Sequence, residues 1–539
     1  MLHRNDKVRP LHQTVTKVLS EAVERHAQRI FLDFSGTTYT YEDLDRESNR
    51  LANGLKELGV KRGDRVGLLM DTCVEAIEIW FAVNKLGAIS VPVNAAYKGE
   101  YLRHQYGDAG VEVVFVEPHY LDRIELIADD LPDLRVVIQR GDEMPESKVL
   151  DVRRYTDVLG ENTKFVDENK FSDISMLIYT GGTTGPSKGC IVSHNFVCNL
   201  ARQSVENGNR TSEDVNWSPL PLFHLNALAS TVLASAMVGA RASLYPRFSV
   251  SKFWDEIERS KATLVNLLGS MLSFIADQPD SEASKRCYGQ LRAIRGSPFS
   301  PELQEKWKTR FGVKVAGSNV YGLTEACVVT SLHDDEYAKP GSSGKRNADF
   351  EVRIVDENDE EVPPGVAGEI IVRPNRPHIM FEGYWGRPED TLKVMKNLWL
   401  HTGDIGMFDE DGYFFFVDRK KDYLRRRGEN ISSFELEKTF RQHAAVSDVA
   451  IHAVFSETAE DEVKATLVMR EDADPVSEAD LCQWCADRVP YFAVPRYIEF
   501  RSDLPRNPVG RVLKYVLRDE GCTPATWDRE EAGFKLEKR

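Results

Sequence analysis

The chain has 539 residues and a formal net charge of −16 at pH 7. This length is more than one hydrophobic core usually organises, so two or more domains are expected. The acidic balance disfavours nucleic acid or an anionic membrane surface as the main partner. The sequence has no apolar run of the roughly 18 residues that a membrane-spanning helix needs, and its N-terminus has no signal-peptide pattern, so a cytoplasmic protein is predicted.

Eight cysteines in a chain of this length do not form a dense disulfide framework. Cys482 and Cys485 are close together, in a segment that begins with a capping serine and has helical spacing. No second pair of ligands lies near them in the sequence, which favours helix packing over a zinc or redox site.

Helical and strand patterns alternate through the first half of the chain. The predicted helices cover 13–29, 41–58 and 74–86, and the predicted strands cover 65–70, 90–93, 111–116, 175–179, 242–245 and 262–267. Strands that alternate with helices are typical of parallel βαβ units. Within 348–373, two strand patterns separated by a Glu/Pro/Gly turn predict an antiparallel hairpin.

A charged run from Asp418 to Arg427 predicts a domain boundary. Beyond it, the patterns predict helices at 434–442 and 478–488 and strands at 446–454, 464–469 and 497–500. The predicted fold class is therefore α/β, with a large N-terminal domain (1–417) of mixed and parallel sheets, helices and a β-rich subdomain, and a small C-terminal α+β domain (418–539). The charged tail after Leu517 is expected to be loosely held.

Residues 179–189, Tyr-Thr-Gly-Gly-Thr-Thr-Gly-Pro-Ser-Lys-Gly, form the segment most informative about function. They follow a predicted strand, and glycines without a Cβ let backbone N–H groups approach phosphate oxygens. Threonine hydroxyls add donors and Lys188 adds a positive charge. The pattern is not a Walker A loop, and a glycine-rich surface turn is the alternative, but the composition favours a nucleotide triphosphate site.

Further motifs follow in a fixed order. They are Tyr39–Tyr41, Leu86–Asn94, Tyr-Gly-Leu-Thr-Glu at 321–325, His-Thr-Gly-Asp at 401–404, Arg-Lys-Lys-Asp at 419–422 and Gly-Glu-Asn-Ile at 428–431. Together with 179–189 they resemble the adenylate-forming superfamily, which includes acyl-CoA synthetases, aryl-CoA ligases, luciferases and peptide-synthetase adenylation domains. The chain is most similar to crotonobetaine/carnitine-CoA-ligase-like and fatty-acyl-CoA ligase members. It departs from the family at Gly181, usually Ser, and at Ser187, usually Pro.

The resemblance implies a reaction in two halves, with ATP, Mg²⁺ and coenzyme A as cofactors. A carboxylate attacks the α-phosphorus of ATP and expels pyrophosphate, and a thiol then displaces AMP from the acyl-adenylate. The small domain, mobile in the family, would rotate between the halves about Lys421, the position of the family's hinge.

The resemblance also implies roles for residues that match the family's motifs. The phosphate-binding residues would be Thr180, Gly181, Gly182, Thr183, Thr184, Gly185 and Lys188. Thr324 would donate to the α-phosphate, and Glu325, with Thr184, would bind Mg²⁺. The nucleoside would contact Gly296, Ser297, Pro298, Asn319, Tyr321, Gly322, Asp404 and Arg419. Taken singly, Glu325 could instead be a helix-start acid and Asp404 a turn cap.

Two further sites follow from the resemblance. Arg425, Arg427 and Gly428 would contact coenzyme A, with a merely solvated face as the less favoured alternative for the arginines. The acyl pocket would be formed by His224, Asn226, Asn266, Gly269 and Gly317. His224 would gate this pocket or orient the acid, and a packed histidine is the alternative.

One departure affects the catalytic cation. The family's lysine that bridges the carboxylate and the α-phosphate is replaced here by Arg511, which keeps the charge but is a planar fork. Three interpretations stay open: Arg511 acts as the cation, Lys514 takes over after a local shift, or adenylation is slow.

The predicted function is ATP-dependent activation of a small carboxylic acid and its transfer to coenzyme A. Transfer to a carrier protein, or a nucleotide-binding regulator with impaired adenylation, are the alternatives. Small molecules are the expected partners and a homodimer is left open. The pocket segments are mostly apolar, which favours an aliphatic or alicyclic acid over a cationic one such as carnitine.

Overall fold

The computed structural model describes residues 12–143, 147–180, 186–296, 299–317, 320–419, 424–426, 429–431, 433–455, 461–470, 473–506 and 512–536. The described residues 12–419 are called the N-terminal unit below, and those from 424 onward the C-terminal unit.

Helices occur in both units. They are α1 (Val15–His26), α2 (Tyr41–Glu57), α3 (Val74–Leu86), α4 (Gly99–Ala109), α5 (Leu121–Glu125), α6 (Tyr155–Val158), α7 (His194–Asn207), α8 (Ala234–Val238), α9 (Phe253–Ser260), α10 (Gly269–Ala276), α11 (Glu282–Arg286), α12 (Pro301–Phe311), α13 (Pro388–Val394), α14 (Ser433–Arg441), α15 (Glu478–Ala486) and α16 (Lys514–Glu520). A π-helical stretch, Ala227–Leu233, leads directly into α8.

The strands of the N-terminal unit alternate with these helices. They are β1 (Ile30–Phe34), β2 (Thr37–Thr40), β3 (Arg65–Leu69), β4 (Ile89–Pro92), β5 (Val113–Val116), β6 (Val136–Gln139), β7 (Val152–Arg154), β8 (Ile174–Thr180), β9 (Lys188–Ser193), β10 (Val215–Ser218), β11 (Arg241–Leu244), β12 (Leu264–Asn266), β13 (Ala293–Arg295), β14 (Val315–Ala316), β15 (Val320–Leu323), β16 (Cys327–Ser331), β17 (Lys345–Arg346), β18 (Phe350–Val355), β19 (Gly368–Pro374), β20 (Met395–Lys396), β21 (Trp399–Phe408) and β22 (Phe414–Arg419).

The C-terminal unit has shorter sheets. Its strands are β23 (Leu424–Arg426), β24 (Glu429–Ile431), β25 (Val446–Phe455), β26 (Asp461–Met469), β27 (Tyr497–Arg501) and β28 (Trp527–Asp528).

Two sheets dominate the N-terminal unit. In its described part, one has the strand order β14-β13-β12-β10-β11-β1-β2 and the other the order β7-β6-β5-β3-β4-β8-β9. Neighbouring strands are parallel except at one edge of each sheet, where β1 pairs with β2 and β8 with β9 in antiparallel fashion. The prediction of parallel βαβ units is confirmed, and the phosphate-loop segment lies at an antiparallel edge.

One hydrophobic core joins the two sheets through α1, α2, α3 and α7. The sequence explains why these helices form. Thr40 caps α2 and exchanges hydrogen bonds with Asp43, and nine of the thirteen residues of α3 are apolar, as expected for a helix buried on almost all sides. Separate cores cover the outer faces of the sheets, so each sheet has helices on both faces, as expected for this fold class.

The predicted antiparallel hairpin is also confirmed. Phe350–Val355 pairs with Gly368–Pro374, and this hairpin continues into β21 and β22. The C-terminal unit has a core of its own in which α14 and α15 pack on β25, β26 and β27. The predicted boundary between 417 and 418 stays a prediction.

The expectation that the tail after Leu517 is loosely held is wrong at residues 527–529. Trp527–Asp528 pairs with β27, and Arg529 is buried and donates to the carbonyl oxygens of Val494 and Pro495. Charge alone suggested exposure, but these arginine donors are satisfied by buried carbonyls.

Cys482 and Cys485 lie on α15 and are buried in the core of the C-terminal unit, so the predicted helix is confirmed there. Within the part of the chain that the structure describes, no helix combines the length and the apolar character needed to cross a bilayer.

Candidate active site

The predicted phosphate loop connects β8 to β9, which pair as an antiparallel hairpin. Thr180 and Lys188 are paired across the hairpin, so the loop leaves and re-enters the sheet at adjacent positions. Gly181, Gly182, Thr183, Thr184 and Gly185 lie outside the described residues. The segment 382–385 runs beside β9, with the N–H of Trp385 donating to Gly189 O at 2.8 Å. The end of the loop is therefore held by backbone hydrogen bonds on both sides.

Lys188 faces an aromatic ring and a carboxylate. Its Nζ lies 5.1 Å from the centre of the Tyr384 ring and 3.8 Å from Asp390 Oδ2. A hydrogen bond from Lys393 lowers the pKa of Asp390, and the positive charge of Lys188 lowers it further. This arrangement presents a cation at the mouth of the loop, where phosphate oxygens would need one.

Glu325 lies in the turn between β15 and β16, next to Thr324. Gly322 permits this tight hairpin, because a Cβ there would lie 2.0 Å from Cys327 O. The Tyr384 hydroxyl donates a 2.8 Å hydrogen bond to Glu325 Oε1. Burial raises the pKa of Glu325, and the charge of Asp404 adds to this rise while that of Lys188 opposes it.

Asp404 lies on β21, inside the predicted third motif. It is buried, and the Tyr321 hydroxyl donates to its Oδ2 at 2.7 Å. Arg419 is paired with Asp404 across β21 and β22, so the strand register brings two predicted nucleoside residues together. The side chain of Arg419, as well as Ser297, Pro298 and Asn319, lies outside the described residues.

The structure thus brings together residues from three separate motifs. Lys188 and Glu325 share Tyr384 as a neighbour, while Tyr321 and Asp404 are bonded directly. Tyr384 and Asp390 were not predicted from the sequence. No spacing rule points to them, because they become neighbours of the motifs only through the pairing of 382–385 with β9.

The predicted acyl-pocket residues lie at strand and helix ends. Asn266 ends β12, Gly269 begins α10, and Gly317 follows β14 with a φ of +144° that a larger residue rarely adopts. Gly296 is close to the same elements, since a Cβ there would lie 2.8 Å from Leu267 O. A glycine at 296 leaves room where any side chain would crowd β12.

His224 contacts a residue of the C-terminal unit. Its Nε2 lies 3.2 Å from Glu429 Oε1, and its side chain is 45% exposed. Asn226 is exposed at the start of the π-helical stretch. Unusual helix geometry of this kind is frequent at functional sites.

Arg425, predicted to contact coenzyme A, lies on β23 next to Arg426, which was not part of that prediction. Arg426 is buried, 2.7 Å from Glu462, and donates to the carbonyl oxygen of Val494. The Arg426 side chain therefore bonds groups inside the C-terminal unit. The side chain of Arg425, together with Arg427, Gly428 and the hinge residue Lys421, lies outside the described residues.

Of the two candidates for the adenylation cation, Lys514 and Arg511, the structure describes the contacts of Lys514 alone. Lys514 Nζ lies 2.6 Å from Glu437 Oε1 and donates to Ser433 Oγ at 2.9 Å, all within the C-terminal unit. Arg511 lies outside the described residues, in a segment closed by the pairing of Arg506 with Val512.

Profiles of known families match most of the chain. The profile of the AMP-binding enzyme family matches residues 19–385, and that of the AMP-binding enzyme C-terminal domain matches residues 435–511.

The chain belongs to the AMP-binding enzyme family.

Relatives agree with this assignment. The crotonobetaine/carnitine–CoA ligase of Salmonella typhimurium is 29% identical over 491 residues, which cover 89% of this chain and 93% of that protein. A double mutant of o-succinylbenzoate CoA synthetase from Bacillus subtilis, bound with a product analogue, OSB-NCoA, has a TM-score of 0.80 at 25% identity, covering 94% of this chain and 99% of that one. ATP-bound MatB from Rhodopseudomonas palustris has a TM-score of 0.67 at 25% identity, covering 94% and 99%.

The two TM-scores differ although identity and coverage are the same. This AMP-binding enzyme is thus closer in overall shape to the structure that holds a product analogue than to the one that holds ATP. The predicted fold class is confirmed by these similarities.

Proposed function

We propose that this protein is an AMP-forming ligase that activates a small carboxylic acid as its acyl-adenylate and transfers the acyl group to coenzyme A. The observation that carries the proposal is the position of Tyr384, which hydrogen-bonds Glu325 and lies against Lys188. A single side chain thereby joins the phosphate loop to the second motif. The proposal includes the division into domains 1–417 and 418–539.

The first half-reaction brings anions together and needs cations and N–H donors at the phosphates. Lys188 and the loop residues would hold the β- and γ-phosphates, and Thr324 would donate to the α-phosphate. Asp404, held by Tyr321 at 2.7 Å, would accept hydrogen bonds from the ribose hydroxyls. A buried carboxylate with one oxygen fixed is well suited to this task, since its orientation is set before the nucleotide binds.

Glu325 fits a hard divalent cation. Carboxylate oxygens are the ligands that Mg²⁺ prefers, and burial makes the negative charge of Glu325 costly unless a cation compensates it. Glu325 and Thr184 would hold the ion. A divalent cation held by these residues would offset the negative charge of the phosphates.

The second half-reaction would use the arrangement seen here. Glu429 of the C-terminal unit contacts His224 at the gate of the acyl pocket, and the overall shape is closer to a structure bound with a product analogue. Arg425, Arg427 and Gly428, on or beside the same hairpin, would contact coenzyme A. Both observations support a thiol-transfer orientation of the two units.

The substrate is proposed to be an aliphatic or alicyclic acid whose acyl chain carries no charge. The sequence of α10, at the pocket, contains no charged residue. Arg295, paired with Asn266 across β12 and β13, is itself neutralised by Asp334. A quaternary ammonium would need a carboxylate or an aromatic cage, and neither the segment 266–268 nor α10 carries a carboxylate.

A matched pair of acids tests the substrate class. γ-Butyrobetaine and 5,5-dimethylhexanoate have the same shape, but the first carries a trimethylammonium group and the second a tert-butyl group. We expect AMP formation with 5,5-dimethylhexanoate to exceed that with γ-butyrobetaine by at least tenfold in kcat/KM. A preference for the betaine would contradict the proposed substrate class but not the ligase activity.

The alternatives are separated by their products. Release of pyrophosphate with no member of an acid panel would favour the nucleotide-binding regulator. Pyrophosphate release with acyl transfer to a carrier protein and not to coenzyme A would favour the carrier-loading ligase.

A further inference from the structure

The phosphate loop makes a direct contact with the C-terminal unit. The N–H of Ser187 donates to Glu435 Oε1 at 3.0 Å, and its hydroxyl donates to the same oxygen at 2.9 Å. Glu435 lies in the first turn of α14 and is 3% exposed. A buried carboxylate from one unit therefore occupies two donors of the other.

Ser187 is fixed from its other side by α4. His104 Nε2 lies 2.7 Å from Ser187 O, and the side-chain amide of Gln105 donates to Ser187 Oγ at 3.3 Å. Proline, usual at this position in the family, has neither the N–H nor the hydroxyl and could form neither bond to Glu435. The contact thus depends on the residue at which this chain departs from the family.

The donors of Ser187 belong to the loop that would bind polyphosphate. Ser187 immediately precedes Lys188 in the chain. Backbone N–H groups are the donors that such loops offer to phosphate oxygens. An anion on the loop and the Glu435 carboxylate would compete for the same region, and like charges at short range repel. Docking of Glu435 and binding of polyphosphate are therefore opposed.

We propose that Glu435 is a positioning residue that occupies the phosphate loop as a tethered anion, so that the docked orientation of the two units is favoured when the loop is empty and disfavoured when pyrophosphate or ATP occupies it. This inference rests on the proposed phosphate-binding function of the loop. The docked orientation is the one in which Glu429 reaches His224, so Glu435 would tie the second half-reaction to an emptied loop.

The same interface contains a matched control. Lys438, one turn after Glu435 on α14, instead forms an ion pair with Glu100 on α4. Changing Lys438 should weaken docking without altering its response to pyrophosphate. A merely structural contact would make the two variants alike.

The experiment measures docking in the full chain with pyrophosphate alone, so that no turnover occurs. Energy transfer between a dye on Cys522, which is exposed, and a dye on an introduced surface cysteine of the N-terminal unit reports the docked fraction. Pyrophosphate should lower this fraction in the wild type. A ligand shifts such an equilibrium only by its differential affinity for the two states.

In Glu435→Gln the amide oxygen can still accept both bonds, but the charge is gone. We expect the pyrophosphate-dependent change in the docking constant to fall about tenfold, a coupling of ordinary size between two sites. In Lys438→Gln the docked fraction without pyrophosphate should fall, while the pyrophosphate-dependent factor stays at the wild-type value. An unchanged factor in Glu435→Gln, or an equal loss in both variants, would overturn the inference.

Two further measurements keep the result decisive. If calorimetry detects no pyrophosphate binding to the wild type, both the proposed function of the loop and this inference fail. If pyrophosphate binds and the wild-type docked fraction does not change, only this inference fails. Should Glu435→Gln not fold, Ser187→Ala removes one of the two bonds, and an unchanged docked fraction without pyrophosphate would likewise overturn it.

Discussion

The hydroxyl of Tyr384 donates a 2.8 Å hydrogen bond to Glu325, while the face of the same ring lies 5.1 Å from Lys188 Nζ. One aromatic side chain therefore contacts both Lys188 and Glu325, the cation and the carboxylate that the motifs predict for the site. This geometry lets Tyr384 set the position of both groups, which is the kind of support that a preorganised charged site needs.

The first prediction concerns this trio. Glu325→Gln and Lys188→Ala should each lower acid-dependent pyrophosphate exchange by about two to three orders of magnitude, because each removes a charge aimed at the phosphates. Tyr384→Phe should lower it by a smaller factor, since only one hydrogen bond is lost. Glu382→Gln changes an exposed acid two residues away and should leave exchange unchanged. Near-normal exchange in Glu325→Gln would refute the assignment.

The second prediction concerns the contact of Glu429 with His224. Glu429→Gln should slow thioester formation from supplied acyl-adenylate by about tenfold, the usual effect of losing one hydrogen bond to a charged group. Adenylation should be spared, because Glu429 belongs to the C-terminal unit as docked here. Single-turnover measurement of each half-reaction separates the two. Equal losses in both would argue against a role confined to the second half.

The third prediction identifies the adenylation cation. Lys514 is engaged by Glu437 at 2.6 Å, so we expect Arg511 to replace the family's lysine. Arg511→Ala should lower acyl-adenylate formation strongly and spare thioester formation from a supplied adenylate. Arg511→Lys should retain or raise activity, since an ammonium is a compact point charge. If Lys514→Ala abolishes adenylation and Arg511→Ala does not, the cation has moved.

The fourth prediction concerns rotation between half-reactions. Lys421→Pro restricts φ at the position that resembles the family's hinge. It should impair whichever half-reaction needs the backbone to turn, and we expect thioester formation to suffer more than adenylation. Measuring both rates in one preparation provides the comparison, and parallel losses would count against a hinge at Lys421.

The fifth prediction concerns acid stability. Burial lowers the pKa of His194 from 6.5 to about 4, and its Nδ1 accepts the N–H of Val15 at 3.2 Å. Because the folded pKa lies below the unfolded one, this contribution to stability is complete above pH 6.5 and is lost as pH falls towards 4. His194→Gln can still accept the bond but does not titrate. Between pH 6.5 and pH 4 the free energy of unfolding should fall in both proteins, but by up to about 3 kcal/mol less in His194→Gln than in the wild type. Urea denaturation at several pH values measures the difference.

Periodicity alone predicted most of the larger elements. Parallel strands such as Arg65–Leu69 and the hairpin of Phe350–Val355 are visible because burial imposes a local pattern on the sequence. The ordered tail around Arg529 was missed, since its partners are carbonyls more than 30 residues away. A charged side chain in the sequence therefore predicts solvent exposure only where the fold offers it no buried carbonyl acceptor.

The site was predictable where its residues lie in contiguous motifs. Tyr321 and Asp404 were both named from sequence, but their 2.7 Å bond joins residues 83 positions apart and required the fold. Tyr384 and Glu435 carry no local signature of function. They matter through strand pairing and domain docking, which no spacing rule encodes.

The docked interface has one more consequence. Tyr101 lies on α4 of the N-terminal unit, yet it is 2% exposed within the core of the C-terminal unit, beside Tyr97, whose ring in turn lies near that of Phe492. Undocking would hydrate this aromatic surface, and hydration of apolar surface raises the heat capacity. Hydrophobic association weakens on cooling, so low temperature should draw the two units apart. Thioester formation should then slow more steeply in the cold than adenylation does.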